Sequence, residues 1–166
     1  DGDGSLDILA GSAKADPAGN SAAGSAWVFS GATGTVLFRF DGAKIGDFLG
    51  QSVTSAGDVN GDGIPDILVG APGMDPTTGG LDSGSAFVYS GANGSTLWRF
   101  DGQNSLDAFG HDVASPGDIT GDGIPEFLVS APIRDAAGLS EAGVVSLISG
   151  ANGNTLHEFS GPTAGA

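Results

Sequence analysis

Short apolar runs, each bounded by polar residues, Gly or Pro, recur along the chain at a nearly constant interval. Ile67-Leu-Val69 returns as Phe127-Leu-Val129 after 127 − 67 = 60 positions, and Ile8-Leu-Ala10 precedes it by 67 − 8 = 59 positions. Runs of this length without polar alternation are typical of strands buried on both faces. The pattern therefore predicts one interior strand in each of three repeats.

A second pattern, in which apolar and polar residues surround a Gly-containing turn, follows each apolar run. It covers residues 25–42, 85–102 and 144–161, and Asn93-Gly94 and Asn152-Gly153 stand at two of the turns. Asn-Gly between apolar stretches predicts a hairpin because both residues tolerate a positive φ. We expect the second strand of each hairpin to be an outer strand with one wetter face.

A lead-in strand completes the two full repeats. It is predicted around Phe48-Leu-Gly50-Gln-Ser-Val53 and Ala108-Phe-Gly110-His-Asp-Val113. Four antiparallel strands repeated at this scale predict an all-β fold of β-propeller blades, and fewer than about four blades do not close a ring. The predicted units are a partial blade of three strands over 1–42, blades over 43–102 and 103–161, and a tail over 162–166.

An acidic loop lies between the lead-in strand and the interior strand. Its side-chain oxygens fall at loop positions 1, 3, 5 and 9, with Gly63 at position 6 and a backbone carbonyl at position 7. This spacing lets a tight turn direct hard oxygen donors at one Ca²⁺, and the lack of His and Cys disfavours zinc and copper. The candidate ligands in the first full copy are Asp58, Asn60, Asp62, Ile64 through its carbonyl, and Asp66.

Two further copies of the loop extend the prediction. The second full copy keeps an oxygen at every side-chain position, with altered geometry and a weaker affinity expected; its candidate ligands are Asp118, Thr120, Asp122, Ile124 and Glu126. The partial copy offers Asp1, Asp3, Ser5 and Asp7. The position equivalent to Asp58 would precede residue 1, so we expect the sequence to be part of a longer polypeptide.

Two familiar structures share features of the acidic loops, and both fit this chain less well than a calcium hairpin. An EF-hand requires a bidentate Glu at position 12, where this chain has Val69 and Val129, and an apolar strand follows instead of a helix. Asp, Asn and Gly also form plain turns at strand ends. Two complete copies with their donors in register favour the calcium site.

Composition removes several function classes. The chain has 20 acidic residues against 5 Lys and Arg, a formal net charge of −15, so it lacks the basic surface that nucleic acids require. It has no cysteine, which excludes disulfides and thiolate metal sites. No apolar run approaches the length of a transmembrane helix, so no membrane insertion is expected.

The repeat resembles the FG-GAP family, the units of the integrin α-subunit propeller. Gly70-Ala71-Pro72 matches the GAP element, Leu49-Gly50 and Phe109-Gly110 the FG-like element, and 58–66 the calcium hairpin. Ser130 departs from the first Gly of the GAP element. The resemblance implies a seven-bladed propeller that is extracellular, at the cell surface or periplasmic. The hairpin sequences are similar to those of bacterial members of the family.

These observations predict a non-catalytic, calcium-binding segment for recognition or adhesion, with a protein or glycan ligand. No Ser-His-Asp set or phosphate loop is present at motif spacing, and His111 and His157 occupy the repeat positions of Gln51 and Trp98. Two alternatives stay open. In the first, the chain is a structural accessory subunit of a larger envelope or secreted complex. In the second, it is a propeller attached to a secreted hydrolase whose active site lies outside this chain.

Overall fold

The strands of the protein form three antiparallel sheets in a computed structural model that describes residues 2–135 and 142–161. The first sheet contains β1 (Ile8–Ser12), β2 (Ser25–Phe29) and β3 (Val36–Asp41). The second contains β4 (Val53–Gly57), β5 (Asp66–Ala71), β6 (Ser85–Tyr89) and β7 (Thr96–Asp101). The third contains β8 (Val113–Gly117), β9 (Glu126–Ala131), β10 (Val144–Ile148) and β11 (Thr155–Ser160).

In each sheet the spatial order of the strands follows the chain order, which confirms the all-β fold built from propeller blades. The described residues contain one short 3₁₀ turn, at Pro17–Gly19. Across these residues there is no helix long and apolar enough to cross a bilayer. The predicted boundaries at 42/43 and 102/103 fall in connections between sheets and stay predictions, while the tail over 162–166 and Asp1 lie outside the described residues.

The interior strand of the middle blade is buried over its whole length because its two faces pack against different blades. Ile67 and Val69 join the apolar cluster shared with the first blade, whereas Leu68 joins the cluster shared with the third. Side chains alternate across a strand, so a run without polar alternation serves both interfaces. This arrangement explains why the repeat has three consecutive apolar residues on so short a strand.

Neighbouring blades approach through backbone at the end of this strand. A Cβ built on Gly70 would lie 1.9 Å from the carbonyl oxygen of Gly110 in the next blade, and one on Gly11 would lie 2.2 Å from that of Gly50. Only glycine permits such contact. The FG-like residues seal the same junctions, since Leu49 and Phe109 are buried and form parallel bridges to Gly24 and Gly84.

Three details differ from the sequence prediction. The lead-in strands begin at Val53 and Val113, because the residues before them form turns and bridges to the preceding blade. In the middle hairpin only Gly94 has a positive φ, and the Asn93 side chain instead accepts a hydrogen bond from the Ser95 N–H at 2.9 Å.

The third difference concerns β1, for which the apolar pattern predicts an interior strand. It pairs with β2 alone, and Ile8 is exposed. A strand at the edge of a sheet has one neighbour to bury its side chains. The same sequence pattern therefore gives a fully buried strand in the middle blade and a partly exposed one in the first.

Candidate metal centre

Both full acidic loops lie at the same end of their blades, where the first strand turns into the second. They connect β4 to β5 and β8 to β9. Gly63 and Gly123, at loop position 6, have φ values of +86° and +89°, and no atom lies within 4 Å of the Cβ that either would carry. The backbone conformation, and not a lack of space, therefore requires glycine there.

The first aspartate of each loop organises the turn. The Asp58 carboxylate accepts hydrogen bonds from the N–H groups of Gly61, Asp62 and Gly63 at 2.8, 3.1 and 2.9 Å. Asp118 accepts the same three bonds, from residues 121, 122 and 123, at 2.7, 3.2 and 2.9 Å. The bond from the Gly123 N–H and its neighbours lowers the pKa of Asp118 and keeps this carboxylate ionised.

The residues at positions 3, 5 and 7 continue the turn. Asp62 and Asp122 each accept a bond of 2.9 Å from the N–H of the isoleucine two residues later. The loop spacing predicts those isoleucines, Ile64 and Ile124, as ligands through their carbonyls, and the structure adds that their N–H groups fix position 5. Asn60 accepts a 2.9 Å bond from the Asp62 N–H.

The two loops diverge at position 9. Asp66 is 1% exposed, and its two carboxylate oxygens accept bonds of 2.9 Å from the N–H groups of Val59 and Gly91. Gly91 belongs to the turn between β6 and β7, so Asp66 ties the loop to the hairpin of its own blade. Burial raises the pKa of Asp66 because a carboxylate loses hydration there.

Glu126, which replaces this aspartate in the third blade, is also fully buried. Its longer side chain turns back into its own loop, where Oε2 accepts bonds from the N–H groups of Ile119 and Thr120 at 2.7 and 3.1 Å. The Thr120 hydroxyl lies 3.5 Å from Oε1. The extra methylene thus directs the carboxylate at the loop and not at the hairpin turn.

As a result, three carboxylates converge in the third blade. Asp118, Asp122 and Glu126 can each offer an oxygen such that these atoms lie within 4.8 Å of one another. Within residues 2–135 and 142–161 no other group of three acidic or His side chains meets this condition, and the trio of Asp58, Asp62 and Asp66 does not. Clustered oxygen donors around one point are the arrangement that a hard divalent cation needs.

The partial copy at the start of the chain retains two features of the middle loop. Asp3 accepts a 2.7 Å bond from the N–H of Ser5, and Asp7 accepts a 3.1 Å bond from the N–H of Gly31. The second bond repeats the contact between Asp66 and Gly91, one blade earlier. Asp1, the remaining candidate ligand of this copy, lies outside the described residues.

Sequence reasoning missed the partner of the position 9 acid. Gly31 and Gly91 both belong to a repeated Ser-Gly-Ala turn, in which a Cβ at Gly91 would lie 2.0 Å from the Pro65 carbonyl oxygen. Two buried carboxylates, Asp47 and Asp107, were missed as well. Their spacing of 107 − 47 = 60 residues was a signal that could have found them.

Antiparallel four-stranded blades, joined through shared apolar cores and carrying an acidic turn between their first two strands, define a β-propeller segment with candidate cation sites. The family model named FG-GAP repeat matches residues 49–89. The chain belongs to this family, in its integrin α-like form, as the comparisons with individual proteins also indicate.

Three integrin α proteins illustrate the similarity. Integrin alpha-4 of Xenopus laevis is 38% identical over 103 residues, which are 59% of this chain and 10% of that protein. Integrin alpha-PS2 of Drosophila melanogaster is 33% identical over 123 residues, 69% of this chain and 8% of that protein. Integrin alpha-5 of Xenopus laevis is 32% identical over 143 residues, which are 82% of this chain and 13% of that protein. The chain thus matches about a tenth of the length of these relatives.

Proposed function

We propose that this chain is a calcium-binding, non-catalytic propeller segment that serves recognition or adhesion outside the cytoplasm. The observation that carries the calcium assignment is the convergence of Asp118, Asp122 and Glu126 in a turn closed by backbone hydrogen bonds. All donors are oxygens, which favours Ca²⁺, and the six to eight ligands that Ca²⁺ takes leave room for water and backbone carbonyls. The loop of the middle blade is the second proposed site.

Calcium at these loops would stabilise the blades. It would neutralise carboxylates that repel one another and hold the turn between the first two strands of the blade. A ligand that binds only the folded state stabilises it by about 2.7 kcal/mol at 100 times its Kd. Extracellular calcium modules have a Kd of about 10⁻⁴ to 10⁻³ M, which suits the calcium concentrations outside cells.

The recognition role is supported by the family and by the arrangement of the loops. The acidic turns lie at one end of the blades, and the connections between β5 and β6 and between β7 and β8 lie at the opposite end. Those connections differ between the blades at several surface positions, such as Gly46 against Leu106, and surface loops on a rigid scaffold commonly carry binding residues. We therefore place the partner, a protein or glycan, at the end opposite the calcium.

The surroundings of the two histidines support the non-catalytic part of the proposal. The ring of His111 lies beside the exposed Asp112 carboxylate at 3.5 Å, and His157 packs edge-on against Phe159 with ring centroids 4.5 Å apart. His111 lies in the connection between β7 and β8 and His157 in the outer strand β11, so neither belongs to an acidic loop. Neither is arranged with a nucleophile as hydrolysis would require.

Melting curves in CaCl₂, MgCl₂ and chelator test the calcium part of the proposal. We expect the melting temperature to rise in CaCl₂, to rise much less in MgCl₂, and to stay constant in CaCl₂ for the double variant Asp62→Ala with Asp122→Ala. Asp112→Ala, at an exposed acid away from the loops, is the matched control. An equal rise in the double variant would contradict the assignment.

A further inference from the structure

The two junctions between blades carry different residues at equivalent positions. Where the first junction has Ser21, Gly46 and Gly73, the second has the large aliphatic residues Leu81, Leu106 and Ile133. The equivalence holds in the backbone, since the Gly46 N–H donates to the Ser21 carbonyl at 3.1 Å and the Leu106 N–H donates to the Leu81 carbonyl at 2.9 Å.

We call Leu81, Leu106 and Ile133 the junction patch. Their exposed fractions are 68%, 58% and 48%. Leu106 and Ile133 line one surface depression of about 450 Å³, and Leu81 is bonded to Leu106. Three large aliphatic side chains are thus gathered on the loop end of the molecule, opposite the acidic turns, without being buried by the fold.

The first junction is closed at the same place. A Cβ on Gly73 would lie only 2.0 Å from the Gly46 carbonyl oxygen, so the two loops touch through their backbones. Ile133 has a side chain where this contact would occur, and the second junction has a depression instead. The difference between closed and open junctions therefore follows from side chains that only the second junction carries.

Leu106 shows that the patch does not serve local folding. Its φ of +70° lies in the left-handed region, where the equivalent Gly46 has +81°. A bulky residue is disfavoured there, and Leu106 gains little burial in return. Strain of this kind in an exposed residue points to a role in binding.

The charges around the patch define its partner. Asp135 lines the depression and Asp82 follows Leu81 directly, whereas the Asp107 carboxylate in the wall of the depression is buried. Arg134 offsets these acids only in part, because its guanidinium is bonded to Glu158 at 2.7 Å, lies 4.0 Å from Asp107 and belongs to a side chain that is only 15% exposed. An acidic rim around an apolar centre favours a basic partner surface and disfavours anionic lipid and nucleic acid.

We propose that the junction patch docks a protein segment that inserts a large apolar side chain flanked by Lys or Arg. This inference rests on the recognition role proposed above and deepens it by naming the surface and the chemistry of the partner. The apolar side chain would occupy the depression beside Leu106 and Ile133, where desolvated anchors contribute most to affinity. The basic residues would face the acidic rim and make binding sensitive to salt.

The test selects a phage-displayed library of random 12-residue peptides against the full chain in CaCl₂, and titrates the enriched peptides as synthetic compounds. We expect enriched peptides to share an apolar residue next to Lys or Arg. The variant Leu81→Ser, Leu106→Gly, Ile133→Gly, which carries the first junction's residues, should weaken their binding by about tenfold or more. Ile45→Ser removes a 72% exposed aliphatic from the first junction and should leave binding unchanged.

The melting temperature of the triple variant controls for folding in the same experiment. Its Leu106→Gly change places glycine at a left-handed φ and should not lower that temperature. Peptides that bind the triple variant as tightly as the parent would overturn the junction patch while leaving recognition elsewhere intact. Failure to enrich any peptide with a chain that shows the calcium-dependent melting shift would overturn the junction patch as a docking site for a protein segment, while leaving recognition of a glycan intact.

Discussion

The acidic loops of the middle and third blades share their turn but use the acid at position 9 differently. Both acids accept a bond from the N–H at loop position 2, of Val59 or Ile119. Asp66 also accepts a bond from the Gly91 N–H in the hairpin turn, whereas Glu126 also accepts one from the Thr120 N–H in its own loop. Three carboxylates converge in the third blade only, among the residues described. One methylene group therefore separates a loop tied to its hairpin from a loop with three converging carboxylates.

Repeated ligand spacing thus does not fix where every ligand points. In the middle blade, calcium must draw the Asp66 carboxylate away from at least one backbone bond before it can bind as in the third blade, and this costs free energy. In the third blade the carboxylates already converge. We therefore expect the third blade to bind calcium first, the reverse of the order that its Thr120 and Glu126 suggest from sequence.

The largest effect is expected from Glu126→Ala. It leaves the N–H groups of Ile119 and Thr120 without their acceptor, empties the buried place of the Glu126 side chain and removes one of three converging carboxylates. We expect a loss of about 3 kcal/mol in the free energy of unfolding in chelator, from chemical denaturation, and no calcium binding in this loop. Glu126→Gln keeps an acceptor, so it should unfold nearly as the parent does and still lose the metal. A large stability loss in Glu126→Gln would contradict this separation of the hydrogen-bonding role of Glu126 from its role as a metal ligand.

Asp66→Ala should break the middle loop in another way. It removes the acceptor of the Val59 and Gly91 N–H groups, at a cost of about 2 kcal/mol in chelator. Amide hydrogen exchange at Gly91 should accelerate, because the hairpin turn loses its tie. The equivalent Gly150 should exchange at an unchanged rate, and acceleration at both glycines would show general loosening of the fold instead.

The acids of the two loops should also respond oppositely to pH in chelator. Burial raises the folded-state pKa of Asp66, so its contribution to stability is full below its unfolded pKa and is lost as pH rises through the folded value. Hydrogen bonds from the Gly123 N–H and its neighbours lower the pKa of Asp118, so its contribution is present above its unfolded pKa and is lost as pH falls. Melting temperatures of Asp66→Asn and Asp118→Asn between pH 3 and 7, each relative to the parent, should therefore diverge with opposite slopes. Parallel slopes would contradict the opposite pKa shifts of Asp66 and Asp118.

The smallest effect is expected from Thr120→Asn, which gives the third loop the position 3 residue of the middle loop. An amide oxygen is a better calcium ligand than a hydroxyl, so we expect calcium affinity to rise about threefold. The reciprocal Asn60→Thr should lower the affinity of the middle loop by a similar factor. Calcium titrations of each variant measure both changes, and unchanged affinities in both variants would show that position 3 does not contact the ion.

Much of the fold was predictable because its signals are local. The run Ile67-Leu-Val69 predicts a strand buried on both faces, and the structure packs its two faces against different blades. The hairpins were predictable for the same reason. The start of β4 at Val53 was not, because the apolar residues before it pair with the preceding blade, and such a contact is not encoded in local periodicity.

The site was predictable in its residues but not in its geometry. Spacing identifies Asp58 and Asp118 as the start of each turn, and both organise it through backbone bonds. The contact of Asp66 with Gly91 spans 91 − 66 = 25 residues, so no local pattern contains it. The reach of Glu126 depends on side-chain length and burial, which become decisive only after the blade has formed.

Calorimetric titration of Ca²⁺ into the parent chain and into two single variants, Asp62→Asn and Asp122→Asn, tests the central claim most directly. We predict two sites in the parent, with the tighter site lost in Asp122→Asn and the weaker site lost in Asp62→Asn. Loss of the tighter site in Asp62→Asn would contradict the proposed difference between the loops. Absence of calcium binding in the parent chain would reduce both loops to hydrogen-bonded turns.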